Sequence, residues 1–181
     1  MEREPKVTTQ GPHSSSHPSF VDDILRANAR FAASEAAREL PGQASYRGAI
    51  VLCMDARIDP IRVLGLPPGT AHIIRNAGGR MAEALRSIAI SQQVMGTREV
   101  ALVHHTDCGM ATFTNDDLRR RLHEELGADA TGSDFLAFSG LEESVREDLG
   151  VYRASAIVRQ DIPVRGFIYD ISTGRLREVF A

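Results

Sequence analysis

Tryptophan is missing from these 181 residues, aromatic residues make up only 6% of them, and cysteine occurs twice. So thin an aromatic complement offers no stripe of the kind that marks a protein interface. Phe113, Phe135 and Phe138 are read as core residues in preference to members of a dimer surface or a pocket wall. No apolar run approaches the roughly 20 residues that cross a bilayer, and the N-terminus lacks the apolar stretch of a secretory signal, so a cytoplasmic location and no membrane partner are expected. Charge of one sign is also lacking: 21 basic against 24 acidic residues leave a net charge of -3, and no basic field exists to draw nucleic acid. What remains is an ordinary globular composition, 43% hydrophobic and 25% charged, with length enough for one sizeable core.

Two cysteines permit either one disulfide or two thiolate ligands. In a reducing compartment a single staple in a chain of this size has little justification, and the neighbours of both cysteines point to a metal instead. Cys53 opens the run Cys53-Met54-Asp55-Ala56-Arg57, and some fifty residues later Cys108 closes His105-Thr106-Asp107-Cys108. Two thiolates and one imidazole form a Cys₂His set whose fourth tetrahedral position is open, a known catalytic zinc arrangement.

The pattern along the chain says whether these pieces can meet. Residues 1–18 carry Pro, Gly, Gln, Ser and His with almost nothing apolar after Val7 and read as a flexible tail, in which His13 and His17 have no role. Ser19 followed by Asp22 forms a capping box, and Val21, Ile24, Leu25 and Phe31 predict an amphipathic helix over 20–37. Gly48 to Leu52 is a short apolar run without polar alternation, as in a strand covered on both faces of a parallel sheet, and it ends at Cys53. Residues 71–74 predict a second strand, leading into Arg75-Asn76-Ala77-Gly78-Gly79, where two glycines permit a tight turn. A core-facing helix follows from Met81 to Gly96, then a third strand from Glu99 to His104 that delivers His105 and Cys108. Helices are expected near 115–126 and 139–149, a fourth strand at Ala156 to Val158, and a terminal hairpin or edge extension over 165–179. Alternating strands and helices imply an α/β fold: a mostly parallel central sheet flanked by helices, with an added C-terminal edge strand or hairpin. In such sheets the functional crevice lies at the carboxyl ends of the strands, which is where both half-sites fall. Residues 19–181 are expected to form a single domain.

A zinc ion held by two thiolates and a neutral imidazole has no net charge and acidifies a coordinated water less than a three-histidine site does, so a nearby polar group must compensate. Asp55 and Arg57 stand two and four residues after Cys53. Arg57 would hold Asp55 ionised and oriented through its fork of N–H groups. Asp55 could then accept a hydrogen bond from the nucleophilic oxygen, or ligate the metal itself and close the site. A local salt bridge stabilising the turn is the competing role for this pair. Asp107 is read as a turn residue in preference to an acceptor behind the metal. Consecutive strand residues face opposite ways, so of His104 and His105 only the latter, three residues from Cys108, is assigned to the metal. His72 and His123 are treated as structural or solvated.

These motifs resemble the β-class carbonic anhydrases: Cys53-x-Asp55-x-Arg57, then His105-x-x-Cys108, with Arg-Asn-Ala-Gly-Gly between them and Gly166 to Asp170 near the end. The chain is compact, as in the prokaryotic members. The resemblance implies zinc, one ion per subunit, on Cys53, His105 and Cys108, with Asp55 and Arg57 as the catalytic dyad. It implies reversible hydration of carbon dioxide to bicarbonate and a proton, in a homodimer or higher homo-oligomer. Low pH would favour a closed state with Asp55 on the metal. Two alternatives share the motif: a carbon disulfide or carbonyl sulfide hydrolase on the same zinc site, and a non-catalytic zinc-binding homologue.

Overall fold

The computed structural model describes residues 19–34, 42 and 44–180. The expected tail over 1–18 lies outside them, as do the last residues of the helix expected over 20–37. The chain divides into two units, the first ending at Glu39 and the second beginning at Leu40. The described part of the first is helix α1, Phe20–Ala32. Its capping box is formed: Ser19 Oγ accepts from the Asp22 amide, and the Asp22 carboxylate accepts from the Ser19 amide. Every residue of α1 is exposed, including the apolar row Phe20, Val21, Ile24, Leu25 and Phe31.

The second unit is an α/β layer structure. Its strands are β1 (Gly48–Cys53), β2 (Ala71–Asn76), β3 (Glu99–His105), β4 (Val164–Asp170) and β5 (Arg175–Val179), in the order β2-β1-β3-β4-β5. All neighbours are parallel except β5, which turns back on β4. The helices are α2 (Pro60–Leu64), α3 (Met81–Gln93), α4 (Asn115–Leu126) and α5 (Leu141–Ala154). Among the described residues no helix is long and apolar enough to cross a membrane.

Alternation along the strands sorts the core into two faces. Ala49, Val51, Val100, Leu102 and Ile168 point to one side, where they pack with Ile88 of α3 and Val145, Leu149 and Tyr152 of α5. Helix α5 comes down onto β4 because residue 166 is glycine: a Cβ there would stand 2.5 Å from Val145 Cγ1. The other side carries Leu52, Val103 and Tyr169 and is thinly covered, with Val63 of the five-residue α2 against it and Ile50, Ile73 and Phe167 only half-buried.

The fourth strand is not where the apolar run at Ala156 to Val158 put it. Those residues form a turn, and β4 begins at Val164. Helix α5 continues to Ala154, five residues past its expected end, and side chains then take the backbone groups that a strand would need. Gln92 Oε1 accepts from the Arg159 amide at 2.8 Å, and the Tyr152 hydroxyl donates to the carbonyls of Arg159 and Ile162 at 3.1 and 3.2 Å. Residues 164–169 instead pair with residues 100–105 of β3, so the terminal hairpin is also the continuation of the parallel sheet.

Candidate metal centre

Cys53 is the last residue of β1 and His105 the last of β3, two strands that lie side by side. With the order β2-β1-β3, the gap between them is the point where the sheet changes direction, and chain ends on both sides of it open a crevice. Cys108 enters three residues later, ahead of a helical turn at Gly109–Ala111. The ligand atoms of Cys53, His105 and Cys108 all lie within 4.8 Å of one another, and all three residues are buried.

The tautomer of His105 follows from its neighbours. Nδ1 lies 2.9 Å from the Thr106 carbonyl, which can only accept, so Nδ1 carries the proton and Nε2 is turned to the sulfurs. Nε2 is buried and has no hydrogen-bond partner among the described residues. A buried imidazole nitrogen left in this way is costly unless something else binds it, and two sulfurs converging on the same point supply the rest of a tetrahedral Cys₂His set. The residues present therefore fit zinc.

The two thiols share their charge unequally. Their Sγ atoms are 3.9 Å apart. The hydrogen bond from Cys108, chiefly, with further help from His105 and the amides of Asp55 and Gly78, overcomes burial and pulls Cys53 down to about 4. The same bond to Cys53, with burial, pushes the Cys108 thiol well up, against a single amide from Met110. Cys53 is thus the thiolate of the pair because more donors point at it. Burial, the strongest influence on His105, works against a proton there, but the Cys53 thiolate prevails and its pKa is raised.

Beside this cluster Arg57 grips Asp55 with three N–H groups: its amide and Nε reach Oδ1, both at 2.9 Å, and NH2 reaches Oδ2 at 2.7 Å. These bonds hold the Asp55 carboxyl far below the usual carboxylate range. Asp55 Oδ2 is 3.9 Å from His105 Nε2. Arg57 has a second partner that the sequence pattern did not single out: NH1 reaches Asp107 Oδ2 at 2.5 Å and NH2 the Asp107 carbonyl at 2.8 Å. Asp107 does occupy a turn, with φ 56°, and that left-handed backbone is what aims its carbonyl at the guanidinium.

Arg75 is a further silent contributor, its Nε donating to the Cys53 carbonyl at 2.9 Å and NH2 to the Asp55 carbonyl at 2.7 Å, so the strand end holding both residues is pinned from β2. Gly79 closes the other side with φ 71°, and a Cβ there would stand 2.9 Å from the Cys53 amide nitrogen. His104 faces away from the cluster, toward α5. Neither His72 nor His123 joins it. A cavity of about 420 Å³ opens onto the cysteines, walled by Met54, Ala56, Ala77, Gly78 and Met110, with Asp55 as its polar member.

Comparison with known proteins agrees with this geometry. Residues 49–176 match the family model described as carbonic anhydrase. The chain is 44% identical over 160 residues to beta-carbonic anhydrase 1 of Mycobacterium tuberculosis, covering 88% of this chain and 97% of the relative. A carbon disulfide hydrolase of Acidianus is 29% identical, over 71% of this chain and 75% of its own. Among solved structures, a carbonic anhydrase from Streptococcus mutans superposes with a TM-score of 0.85 at 44% identity, covering 91% of this chain and 99% of that one.

Proposed function

The chain belongs to the β-carbonic anhydrase family, and on that footing we propose how its own residues carry out the reversible hydration of carbon dioxide to bicarbonate and a proton. Cys53, His105 and Cys108 hold one zinc ion per subunit; Asp55 and Arg57 form the catalytic dyad. The observation that carries this reading is the convergence of the unpartnered Nε2 of His105 with two sulfurs, within reach of a clamped carboxylate and at the mouth of an apolar cavity.

When bound, zinc supplies the Lewis acidity that makes an oxygen nucleophile available near neutral pH. Asp55 then does the positioning. Kept ionised by Arg57, it stays an acceptor throughout the working range and takes a hydrogen bond from the attacking oxygen, turning a lone pair toward the substrate. Met54, Ala56, Ala77 and Met110 offer walls without strong hydrogen-bonding groups, which suit a linear, nonpolar substrate and not its charged product. Product release is thereby favoured in the hydration direction.

Carbon dioxide is preferred over carbon disulfide because the carbonic anhydrases are the nearer relatives, at 44% against 29% identity. A homodimer or larger assembly is part of the proposal. Two apolar surfaces support it: the thinly covered sheet face with its half-buried Ile50, Ile73 and Phe167, and, separately, the exposed apolar row of α1. A reducing compartment suits a centre that needs both thiols. The zinc domain is proposed to span 19–181, with the chemistry carried from Leu40 onward.

Stopped-flow carbon dioxide hydration on zinc-quantified protein, from about pH 6.5 to 9, tests the reading. Turnover that rises with pH and collapses in Asp55→Asn is the expected result. Full zinc occupancy with no hydration at any pH would sink it.

A further inference from the structure

On the α5 side of the sheet, behind the cysteines and histidine, lies a second polar cluster that the proposed chemistry does not use. At its centre Asp148, on α5, is wholly buried. Its Oδ2 accepts from the Met81 amide at 3.0 Å, lies 3.1 Å from His104 Nε2, and stands 3.2 Å from Nε of Arg80, whose side chain is itself buried. Among the described residues Oδ1 has no hydrogen-bond partner. A carboxylate sunk this deep and left partly unsatisfied is an expensive way to hold a core together, since apolar packing of the same volume does as well or better.

Each partner of Asp148 leads to the metal centre in one further step. His104 precedes His105 on β3, and its ring is fixed on three sides, by Asp148, by Ser144 Oγ at 2.8 Å from Nδ1, and by Phe138 stacked at 5.7 Å. Fixing one residue of an extended strand end fixes the direction of the next. Met81 and Arg80 follow directly on the Ala77–Gly79 turn, whose Gly79 lies against the Cys53 backbone, so close that a Cβ there would stand 2.9 Å from the Cys53 nitrogen. Asn76 clamps the same turn, accepting from the Arg80 amide at 2.6 Å and donating to its carbonyl at 2.8 Å. Phe138 packs with Cys53, Cys108 and Met110, and the Arg80 guanidinium covers its ring at 5.5 Å.

From this convergence we propose that Asp148 is a positioning residue of the metal centre: it ties the strand end that carries His105 to the turn packed against the Cys53 backbone, and so fixes the spacing of the ligands. The proposal rests on the zinc reading given above.

The test compares two full-length variants. Asp148→Asn keeps the shape and removes the charge. Gln92→Ala breaks an equally buried network on the same pair of helices, the bonds from Gln92 to Tyr152 and to the Arg159 amide, which do not lead to the cluster. Zinc affinity is read by competition with a chromophoric chelator, and ligand geometry by the thiolate-to-metal charge-transfer band after cobalt(II) substitution. Asp148→Asn is expected to weaken zinc binding by about tenfold or more and to shift the cobalt band. Gln92→Ala, with a comparable loss of thermal stability, leaves both readings unchanged. Should Asp148→Asn fail to fold, Ser144→Ala removes one support of His104 and is expected to shift the same band by less. Equal zinc affinity and an unmoved band in the Asp148 or Ser144 variant, or parallel losses in Gln92→Ala, overturn the proposal alone. A wild type that takes up no zinc overturns the zinc reading, and this proposal with it.

Discussion

Cys53 and Cys108 stand 3.9 Å apart, sulfur to sulfur, although 55 positions separate them in the chain. Two adjacent parallel strands bring them together, β1 ending on the first and β3 pointing the loop that holds the second. At that distance two thiolates repel, so the metal-free pair keeps one proton; the hydrogen bond that Cys108 makes to Cys53 lowers the Cys53 pKa and, with burial, raises that of Cys108, which keeps the proton.

Metal uptake must remove that proton. Zinc requires both thiolates and a neutral imidazole, while the free protein near pH 7 carries a proton on Cys108, whose pKa is raised, and part of one on His105, raised by the Cys53 charge. Binding at pH 7 is expected to release about one to two protons per zinc, and affinity to increase as pH rises. Calorimetric titration in buffers of different ionisation enthalpy gives the count directly. Zero release would mean that the cysteines are not the ligands.

Asp55→Asn separates binding from turnover. The variant keeps all three proposed ligands, so zinc content is expected to match the wild type. Turnover is expected to fall by about a hundredfold or more, because an amide can present its NH₂ where an acceptor is needed and Arg57 loses its anionic partner. Metal analysis alongside the rate decides between this and a local salt bridge: a rate within a factor of about two of the wild type would leave the pair a purely structural role.

Much of this centre was legible in the chain, and for a physical reason. Cys53, Asp55 and Arg57 act through local geometry, since a strand end and the turn after it put residues two and four apart on one side. His105 and Cys108 obey the same logic, and alternation along β3 sent His104 the other way, as expected. Asp107 and Asp148 were not legible. The pairing of Asp107 with Arg57 depends on a left-handed φ in an Asp, which no spacing encodes, and Asp148 reaches the centre across 44 residues from a helix face that reads as ordinary amphipathic surface. The misplaced fourth strand has the opposite cause: of its three apolar residues only Val158 serves the core, from a turn and without any ladder, while Ala156 and Ile157 are exposed.

Asp107→Gly isolates the second grip on Arg57. Glycine tolerates the left-handed backbone, so the carbonyl contact to Arg57 survives while the carboxylate contact is lost. The Asp107 side chain is 79% exposed, and ion pairs in water contribute little, so turnover is expected to drop by less than about tenfold with zinc content intact. A loss as large as that of Asp55→Asn would instead place Asp107 in direct partnership with the reacting atoms.

Gly79→Ala attacks the centre from its backbone. The left-handed φ of 71° alone disfavours a side chain by about 1–2 kcal/mol, and here the added Cβ would meet the Cys53 nitrogen at 2.9 Å and Leu52 Cα at 3.1 Å. Neither obstacle is a flexible side chain, so β1 itself has to shift. The shift acts directly on the residue that carries the first thiolate. A lowered thermal midpoint is therefore expected together with weaker zinc binding, whereas Gly96→Ala, also left-handed at φ 79° but with open space around it, should cost stability and leave the metal alone. Measuring both variants by thermal melt and chelator competition separates backbone strain, common to the two, from displacement of Cys53, confined to the first.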